Sequence, residues 1–315
     1  MKIVITGGAG FIGSHIVERL LIGNHHVLVI DNYQTGRRDN LPTHPNLIVV
    51  EGSIASKDLV NKHFNDFKPE IVIHAAASYK DPENWEEDCL TNVYGTINIA
   101  KASQIAGVKR IIYFQTSLCY GLKPLEQPIT LKHPLFSGDY PGGSSYAISK
   151  TGAEQYIELS GIDFISFRLA NAYGPRNLSG PLPTFFLRLT TNKPCFVNDT
   201  RRDFIYVDDV VDCVIKAVNG MGNKGYYHIS SGSDYSIKQL FDAALKALDI
   251  KLDKELEIRP RGVDDVYTIL IDPSKTNVDF DWAIKTPIEE GIKKAIEWYK
   301  INGIYQTFTH LKLEK

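Results

Sequence analysis

Cysteine is scarce in this sequence, and the few cysteines are not spaced as a redox or metal motif. Cys89, Cys119, Cys195 and Cys213 are scattered and include no C-x-x-C pair. Such usage is typical of a protein in a reducing compartment, so we expect a cytoplasmic location. The nine histidines include no H-E-x-x-H sequence, and we predict no metal site.

An excess of charge of one sign and a long apolar run are also missing. Lysine and arginine total 35 against 37 acidic residues, and the net charge of −2 argues against a general nucleic-acid or membrane-surface binder. No apolar stretch approaches the length of a membrane span. The apolar N-terminus stops at a glycine turn, so we interpret it as a strand and not as a signal peptide. The 315 residues are enough for one large or two moderate domains, and the 43% of hydrophobic residues fits a soluble enzyme.

The chain opens with a strand, a glycine turn and a helix. The strand Lys2–Thr6 is followed by Gly7-Gly-Ala-Gly-Phe-Ile-Gly13 and by a helical pattern from Ser14. The early glycines permit a tight turn and a close approach of the backbone to a pyrophosphate, and the last one lets the helix pack on the strand. The helix N-terminus offers N–H groups to the phosphates. The competing interpretation is that these glycines only shape a turn.

An acidic residue follows at the distance expected of a dinucleotide-binding unit. The second strand, Val27–Ile30, runs into Asp31, which lies 21 residues after Gly10. A carboxylate there accepts the ribose hydroxyls of an adenosine and repels a 2′-phosphate, so NAD is favoured over NADP. Arg37 and Arg38 come soon after and weaken this preference.

Strand and helix patterns alternate through the first half of the chain. This alternation predicts a doubly wound α/β fold of the Rossmann type, with helices on both faces of a parallel sheet and ligands at the carboxyl ends of its strands. The further strands predicted are Leu47–Glu51, Ile71–His74, Arg110–Gln115 and Asp163–Leu169, and the helices include Trp85–Ala106 and Ser145–Leu159.

The amino-acid composition of the sequence changes after the last of these strands. Residues 174–203 are rich in Pro, Gly, Asn and Arg and predict a loop-dominated cap. A strand–helix unit is expected at Phe204–Asn219 and another strand at Tyr226–Ser230. From about residue 231 we expect a smaller mixed α/β region that ends in the helix Pro287–Lys300.

A tyrosine and a lysine four residues apart form the catalytic signal. Tyr146 and Lys150 fall on one face of a helix. The pKa of a free phenol is about 10, but a neighbouring ammonium and an oxidised nicotinamide favour the phenolate and lower that pKa. The lysine can also hold the nicotinamide ribose. Gln115-Thr116-Ser117 supplies a hydroxyl at the end of the fifth strand, although such a residue is more often a helix cap or turn.

These motifs together resemble those of a known family. The chain is similar over almost its whole length to the extended short-chain dehydrogenase/reductases, in particular to the NAD-dependent nucleotide-sugar epimerase/dehydratase group. The matching segments, in chain order, are Thr6–Gly13, Asp31-Asn32, His74–Ala77, Thr91–Thr96, Thr116–Gly121, Tyr146–Lys150, Arg168–Arg176 and Arg202–Asp209.

The resemblance implies two domains and a set of site residues. Residues 1–170 plus about 204–230 would bind NAD, and about 171–203 plus 231–315 would bind the nucleotide sugar. The catalytic residues implied are Thr116, Tyr146 and Lys150. The residues assigned to the cofactor are Gly7, Gly10, Phe11, Ile12, Gly13, Asp31, Asn32, Ser53, Ile54, Ala75, Ala76, Ala77, Asn92, Tyr146 and Lys150. Those assigned to the substrate are Thr116, Ser117, Asn171, Arg202 and Arg261.

Two segments depart from the family pattern. After the third strand the family usually has an aspartate before an aliphatic residue, whereas this chain has Ser53-Ile54, so we expect weaker adenine selectivity. The second phosphate-binding arginine usually lies in Arg-Pro-Gly-Asp. Here the match is Arg261-Gly-Val-Asp264, and Arg259 is a nearby alternative.

The activity that the resemblance implies is oxidation of a nucleotide sugar at C4 by NAD through a transient 4-keto sugar. The 4,6-dehydratases carry Asp-Glu after the catalytic threonine, where this chain has Ser117-Leu118. The decarboxylases usually have a glutamate near Leu118, and the GDP-fucose-forming reductases have a cysteine there, whereas Cys119 lies one residue later. A 4-epimerase acting on a UDP-hexose or UDP-hexuronate is therefore favoured. Dehydratase, decarboxylase and 4-keto reductase are the alternatives within the family, and a non-catalytic NAD-binding sensor is the alternative outside it.

The resemblance also extends to a biological subgroup. The segments Phe114–Gly121 and Arg168–Pro183 look like those of enzymes of bacterial surface-polysaccharide synthesis, such as that of O-antigen, which act on UDP-linked and often modified or uronic sugars. The resemblance further implies a homodimer. We expect no nucleic-acid or membrane partner.

Overall fold

The computed structural model describes residues 1–138, 144–262 and 265–308, and its centre is a parallel sheet. Its strands are β1 (Lys2–Thr6), β2 (His26–Asp31), β3 (Leu47–Glu51), β4 (Ile71–His74), β5 (Arg110–Thr116), β6 (Asp163–Leu169) and β11 (Gly225–Ile229). Their order in the sheet is β11-β6-β5-β4-β1-β2-β3. The direction of winding therefore reverses beside β1, which places a crevice at the carboxyl ends of β1 and β4.

The uninterrupted apolar strands are explained by two cores, one on each face of the sheet. Ile3 and Ile5 pack in one core and Val4 packs in the other, because successive side chains of a strand point to opposite faces. At the sheet edge, by contrast, Ile48 of β3 remains 51% exposed. Only strands covered on both sides need apolar residues at every position.

Helices cover both faces of the sheet. The first core includes side chains of α1 (Phe11–Ile22) and α7 (Val207–Val218), and these two helices pack against each other. The second core includes side chains of α2 (Lys57–Phe67), α4 (Thr96–Ala106) and α5 (Ser145–Leu159). The doubly wound α/β fold predicted from the alternating pattern is therefore confirmed.

The helix predicted at Trp85–Ala106 is present but is not uniform. It comprises α3 (Trp85–Asp88), a π-helical segment (Cys89–Gly95) and α4. A π-helical turn inserts one extra residue and rotates the next part of the helix, and such turns are frequent at functional sites. Hydrophobic periodicity cannot reveal this insertion, because the pattern on either side stays helical.

The loop-dominated cap predicted at 174–203 is wrong for its middle part. The structure has α6 (Pro181–Thr190) there, followed by β8 (Phe196–Asn198) and β9 (Arg201–Arg202). Pro181 occupies the first helical turn, where its missing N–H costs nothing, and Phe185 and Phe186 bury the inner face. A proline is a signal for a loop, but it is equally a signal for the start of a helix.

The strand–helix unit predicted at Phe204–Asn219 is present, but its strand does not join the main sheet. β10 (Phe204–Tyr206) pairs in parallel with β7 (Asn171–Tyr173), just beyond β6. Two further small sheets join β9 to β12 (Tyr235–Ser236) and β8 to β13 (Glu257–Arg259). With the exception of β11, the strands beyond β6 therefore form a smaller mixed region beside the crevice.

Helices complete this smaller region. They are α8 (Ile237–Leu248), α9 (Ser274–Asp279) and α10 (Ile288–Asn302), and both α8 and α10 pack against α6. α10 runs close to the predicted range Pro287–Lys300. Across the described ranges, every helix is too short or too polar to cross a bilayer.

Candidate active site

A cleft of about 880 Å³ lies at the carboxyl ends of the parallel strands, between the sheet and the smaller region. It receives side chains and backbone from residues far apart in the sequence, as expected where the winding of an α/β sheet reverses. Of the residues predicted for the site, those that line the cleft are Gly7, Gly10, Phe11, Ile12, Gly13, Asp31, Asn32, Ser53, Ile54, Ala75, Ala76, Ala77, Thr116, Ser117, Tyr146, Lys150, Asn171 and Arg202. Asn92 and Arg261 do not line it.

The glycine turn forms a tight cradle at the start of α1. Gly7 has a φ of +69°, and a Cβ there would lie 2.7 Å from the backbone N of Ala76. A Cβ at Gly13 would overlap the carbonyl oxygen of Gly7. Glycine at both positions lets the turn pack tightly against the backbone after β4 and against the start of α1, and both glycines line the cleft beside the helix N-terminus. The cradle therefore fits the pyrophosphate of a dinucleotide.

Asp31 lies at the end of β2 beside this cradle. One of its oxygens accepts a hydrogen bond from Ala9 N and the other accepts one from Tyr33 N, both at 2.8 Å. Burial raises the pKa of Asp31, and these two N–H groups oppose the shift. Each carboxylate oxygen keeps a further lone pair for a ribose hydroxyl.

The two arginines that weaken the preference for NAD in the sequence are engaged elsewhere. Arg37 pairs with Asp39 at 2.5 Å, and Arg38 pairs with Glu51 at 2.6 Å. Arg38 also stacks over the ring of Tyr33 at 4.2 Å. A 2′-phosphate would have to compete with these carboxylates for the two guanidinium groups.

We therefore expect NAD to bind more tightly than NADP by at least about tenfold, or about 1.4 kcal/mol. The reason is the repulsion between the Asp31 carboxylate and a 2′-phosphate. Titration calorimetry with both dinucleotides measures the ratio of the NAD affinity to the NADP affinity. Asp31→Asn keeps the size of the side chain and should bring this ratio closer to one. Arg38→Gln is the control and should leave it unchanged. Equal affinities in the unaltered protein would show that Asp31 does not have this role.

Ser53 and Ile54 lie where the family pattern has an aspartate and an aliphatic residue. The Ser53 hydroxyl accepts a hydrogen bond from Ala55 N at 3.1 Å, so it shapes the turn after β3. Ile54 is buried against Gly95, where a Cβ would collide with its side chain. The apolar half of the family pattern is therefore kept, and the serine offers its second lone pair to the cleft.

His74 is a buried residue that belongs to the matching segment His74–Ala77 but is not among the residues assigned to the site. The two ring nitrogens of His74 contact Thr6 Oγ1 at 2.7 Å and Thr96 Oγ1 at 2.8 Å. Burial, followed by the charge of Lys150, lowers the pKa of His74 to about 3. The ring is therefore neutral and links β1, β4 and α4.

Asn92 is assigned to the cofactor by the resemblance, but the structure places it behind the cleft. Its amide nitrogen donates to Ser78 O at 3.0 Å and to Ser149 Oγ at 2.9 Å, and its oxygen accepts from Ser78 N at 2.8 Å. Ser149 Oγ in turn donates to the carbonyl oxygen of Tyr146 at 3.0 Å. Asn92 thus holds the loop after β4 against α5, because its amide is engaged within the protein.

Tyr146 and Lys150 lie on the first turns of α5, facing the cleft. Burial lowers the pKa of Lys150 to about 7, and the charge of Glu154 opposes that shift. The Lys150 ammonium lies 4.1 Å from the centre of the Tyr113 ring. Burial raises the pKa of Tyr146, and Tyr79 adds to the effect. The pKa lowering expected of Tyr146 is therefore not a property of the protein's own groups, because desolvation dominates.

Thr116 ends β5 and begins the next turn. Its hydroxyl accepts a hydrogen bond from Leu118 N at 3.2 Å, so it caps this turn while it also lines the cleft. Gln115 holds the position, since its amide donates to the Lys150 carbonyl at 3.0 Å and accepts from Thr116 N at 2.8 Å. The end of β5 and the start of α5 are thereby fastened together.

Arg202 and Arg261 differ in their placement. Arg202 lines the cleft, where its guanidinium donates to the carboxylate of Asp265, which also lines it. Burial lowers the pKa of Arg202, and Asp265 opposes this shift. Arg261 donates to the Asp265 carbonyl at 2.9 Å from outside the lining. Asp264 of the predicted motif lies outside the described residues.

The cleft has further lining residues that the sequence does not indicate. Tyr79 packs edge-on against Tyr146, with ring centres 6.4 Å apart. Trp85 stands at the cleft with 64% of its surface exposed, and Asp265 pairs with Arg202. An isolated aromatic or acidic residue carries no spacing signal, so only the folded arrangement reveals these positions.

Side chains that could bind a metal ion and the four cysteines do not form a site in the part of the chain that the structure describes. In the described ranges, we find no group of three or more His, Cys, Asp and Glu side chains arranged to hold a metal ion. Cys119 is buried, and burial raises the pKa of its thiol. All four cysteines are free thiols.

The cleft's combination of a pyrophosphate cradle, a ribose-binding acid and a tyrosine–lysine pair agrees with the comparison to known proteins. A model of the NAD dependent epimerase/dehydratase family matches residues 3–230, and the chain belongs to this family. It is accordingly an NAD-dependent enzyme, and the glycine cradle and Asp31 fit that cofactor.

Solved structures and curated proteins resemble the chain over nearly its full length. The Bordetella bronchiseptica enzyme WbmH in complex with NAD+ is 50% identical, with a TM-score of 0.92, over 96% of this chain and 99% of that one. WbmG from the same organism, in complex with NAD and UDP, is 41% identical, with a TM-score of 0.89, over 99% of both chains. A UDP-glucose 4-epimerase of Mycolicibacterium smegmatis is 29% identical over 95% of this chain and 99% of its own. A dTDP-D-glucose 4,6-dehydratase of Mus musculus is 28% identical over 96% and 89%.

Proposed function

We propose that the protein is an NAD-dependent nucleotide-sugar 4-epimerase that acts on a UDP-hexose or a UDP-hexuronate. The observation that carries this proposal is the convergence of Thr116, Tyr146 and Lys150 on the same cleft as the dinucleotide cradle. The similarity to a UDP-glucose 4-epimerase and to an enzyme crystallised with NAD and UDP supports the substrate class. Residues 1–170 plus about 204–230 would hold NAD, and about 171–203 plus 231–315 would hold the nucleotide sugar.

The roles of the catalytic residues follow from their chemistry. Bound NAD supplies the acceptor, and afterwards the donor, of the hydride at C4 of the sugar. Tyr146 takes the proton of the sugar 4-hydroxyl and later returns it. Thr116 hydrogen-bonds the same oxygen, and the Lys150 ammonium stabilises the phenolate and orients the nicotinamide ribose. Because proton and hydride both return, the protein ends each cycle unchanged.

Arg202 is the cleft residue best suited to hold the diphosphate. A guanidinium makes bidentate, charge-assisted bonds to phosphate oxygens. Asp265 occupies part of this guanidinium, so a diphosphate would compete with or join that pair. Asn171 and Ser117 also line the cleft and supply neutral polar groups to the substrate. Arg261 lies outside the lining and would act on the diphosphate only from a distance.

The epimerase is favoured over a dehydratase by the residues after Thr116. Ser117 and Leu118 both line the cleft, so the positions where the dehydratases carry an acid pair face the substrate space in this chain too. A hydroxyl and an isobutyl group cannot act as an acid and a base for removing water. The oxidised sugar is therefore left to be reduced again.

The expected product has the mass of the substrate and an inverted configuration at C4. Incubation with a panel of UDP-, GDP-, CDP- and dTDP-sugars, followed by NMR and mass spectrometry, tests this. Net turnover should need no added reduced nicotinamide, because the hydride is returned. A product lighter by one water would establish a dehydratase instead, and steady consumption of external nicotinamide would establish a reductase or an oxidase.

A homodimer and a cytoplasmic role in surface-polysaccharide synthesis complete the proposal. The cysteine usage supports the location. α5 packs beside the helical segment from α3 to α4, and an exposed apolar surface on these helices supports the dimer. Its large exposed side chains are Leu90, Tyr94, Ile105, Ile148, Tyr156 and Leu159. Analytical ultracentrifugation of the purified protein tests the dimer.

A further inference from the structure

Asp88 is a buried carboxyl group that the proposed reaction does not use. It is the last residue of α3, it is 1% exposed, and its Oδ1 has no hydrogen-bond partner among the described residues. Buried carboxylates are normally paired or fully hydrogen-bonded, because removing a charge from water is costly. A buried carboxyl with an unpartnered oxygen is costly to the fold, and perturbed acids of this kind are concentrated at functional sites.

The surroundings of Asp88 connect it to the catalytic tyrosine. The hydroxyls of Ser78, in the loop after β4, and of Ser145, at the start of α5, face the Asp88 carboxyl. Ser145 is the neighbour of Tyr146 and lines the cleft. α3 packs directly against α5, so the carboxyl lies behind the turn that carries the base.

Asn92, one helical turn further on, is hydrogen-bonded in the same surroundings in which one oxygen of Asp88 has no partner. Asn92 faces the same two elements and is equally buried, and its amide bonds to Ser78 and Ser149. That amide already fastens the loop after β4 to α5. If residue 88 only linked the same loop to α5, a neutral amide would stabilise the fold more than a carboxyl with an unpartnered oxygen.

Two further carboxylates act on Asp88, whereas the ammonium of Lys150 lies one turn beyond Tyr146 on α5. Burial raises the pKa of Asp88 and the two hydroxyls lower it, while Glu87 and Asp81 on its own segment raise it further. Tyr146, on α5, is a titratable group that the charge of Asp88 reaches. The influence is mutual, because Asp88 is one of the groups that raise the pKa of Tyr146.

We propose that Asp88 is a positioning residue whose buried carboxyl sets the negative charge that Tyr146 faces, and thereby the pH range in which this base works. The carboxylate disfavours the phenolate, so Tyr146 stays a phenol until positive charge in the cleft outweighs it. A base that must also return its proton benefits from this bias, because the protonated form is kept accessible. The inference rests on the proposed role of Tyr146 as the base.

Removing the charge at Asp88 should move the titration of Tyr146 to lower pH. In the NAD complex, we expect the midpoint of phenolate formation to fall by on the order of one pH unit in Asp88→Asn, the scale of one nearby charge at intermediate dielectric. The signal is the phenolate absorbance that disappears in Tyr146→Phe, so no substrate is needed. The acid limb of the turnover–pH profile should move in the same direction.

Asp81→Asn is the matched control, since Asp81 lies on the same segment but is exposed, and its change removes the same charge. It should leave the midpoint where it is, because an exposed charge is screened. Asp88→Ala removes the charge without the amide and should reproduce the shift. An unchanged or raised midpoint in folded Asp88 variants overturns the inference. Full turnover in Tyr146→Phe would instead contradict the proposed role of Tyr146 as the base.

Stability supplies a second measurement. The pKa of Asp88 is raised in the folded protein, so its ionisation destabilises the fold as pH rises above the ordinary aspartate value of 3.8. Asp88→Asn should therefore unfold at a higher temperature than the unaltered protein at neutral pH, and the difference should vanish in acid. A variant less stable at neutral pH would show that the carboxylate is satisfied in solution and would contradict the inference.

Discussion

Replacing Tyr146 with phenylalanine is expected to lower turnover by about two to four orders of magnitude, the usual scale of general acid–base catalysis. The change removes only the hydroxyl, so the packing of the ring against Tyr79 and the start of α5 should persist. NAD binding should be retained, because the cradle and Asp31 lie on other elements. Steady-state kinetics with the UDP-sugar that gives product, together with NAD titration, measure both.

Tyr79→Phe is the matched control for this change. Tyr79 also lines the cleft and also loses only a hydroxyl, which pairs with Thr35 on the cofactor side. Its turnover should stay within about tenfold of the unaltered protein, since that hydroxyl is not proposed to move a proton. Turnover of Tyr146→Phe close to that of the unaltered protein would remove Tyr146 from the mechanism.

Replacing Glu154 with alanine is expected to destabilise the fold by about 3–5 kcal/mol. Glu154 and Arg168 form a buried ion pair at 2.8 Å, with side chains 2% and 5% exposed. Ser166 Oγ also donates to this carboxylate, and Arg168 donates onward to Tyr120. Alanine would leave the guanidinium buried without its counter-charge. Urea unfolding at neutral pH measures the loss.

Two comparisons separate this effect from a general loss of charge. Asp242→Ala breaks the exposed pair with Lys238 and should cost only about 0.5 kcal/mol or less. The double change Glu154→Leu with Arg168→Met removes both charges and should recover most of the loss. A loss for Glu154→Ala below about 1 kcal/mol would mean that water reaches Arg168 and that the pair is not a buried one.

Glu154 also connects stability to the site. It lies one turn after Lys150 and is the charge that opposes the lowering of the lysine pKa to about 7. A folded-state pKa below the ordinary value means that the ammonium is destabilised by burial, and the carboxylate limits that effect. In variants of Glu154 that still fold, the pKa of Lys150 should therefore be lowered further, so that a smaller fraction of Lys150 is protonated at neutral pH.

The parts of the protein that are readable from the sequence are those whose cause lies within a few residues. The apolar run Lys2–Thr6 reflects burial on both faces, and the glycines after it reflect a turn that excludes side chains. The distance from Gly10 to Asp31 reflects one strand–helix–strand repeat. Tyr146 and Lys150 meet because four residues complete about one helical turn.

The details that the sequence did not reveal depend on residues that are distant in the chain. Asn92 lies in a matching motif, but its partners are Ser78 and Ser149, which the motif does not contain. The strand Phe204–Tyr206 has a strand pattern, but pairing with β7 rather than with the main sheet depends on where both segments pack. A hydrophobic period encodes which side of a segment is buried and not what covers it.

The sequence by itself determined the class of fold, the dinucleotide cradle and the tyrosine–lysine pair of this enzyme. Only the tertiary structure decided that Arg202 and not Arg261 lines the cleft, and that the carboxyl of Asp88 lies against Ser145, the neighbour of Tyr146. The physical reason is that spacing along a helix or turn follows from local backbone geometry. The solvation of a charge, by contrast, depends on which distant segments exclude water from it, and this is settled only when those segments pack together.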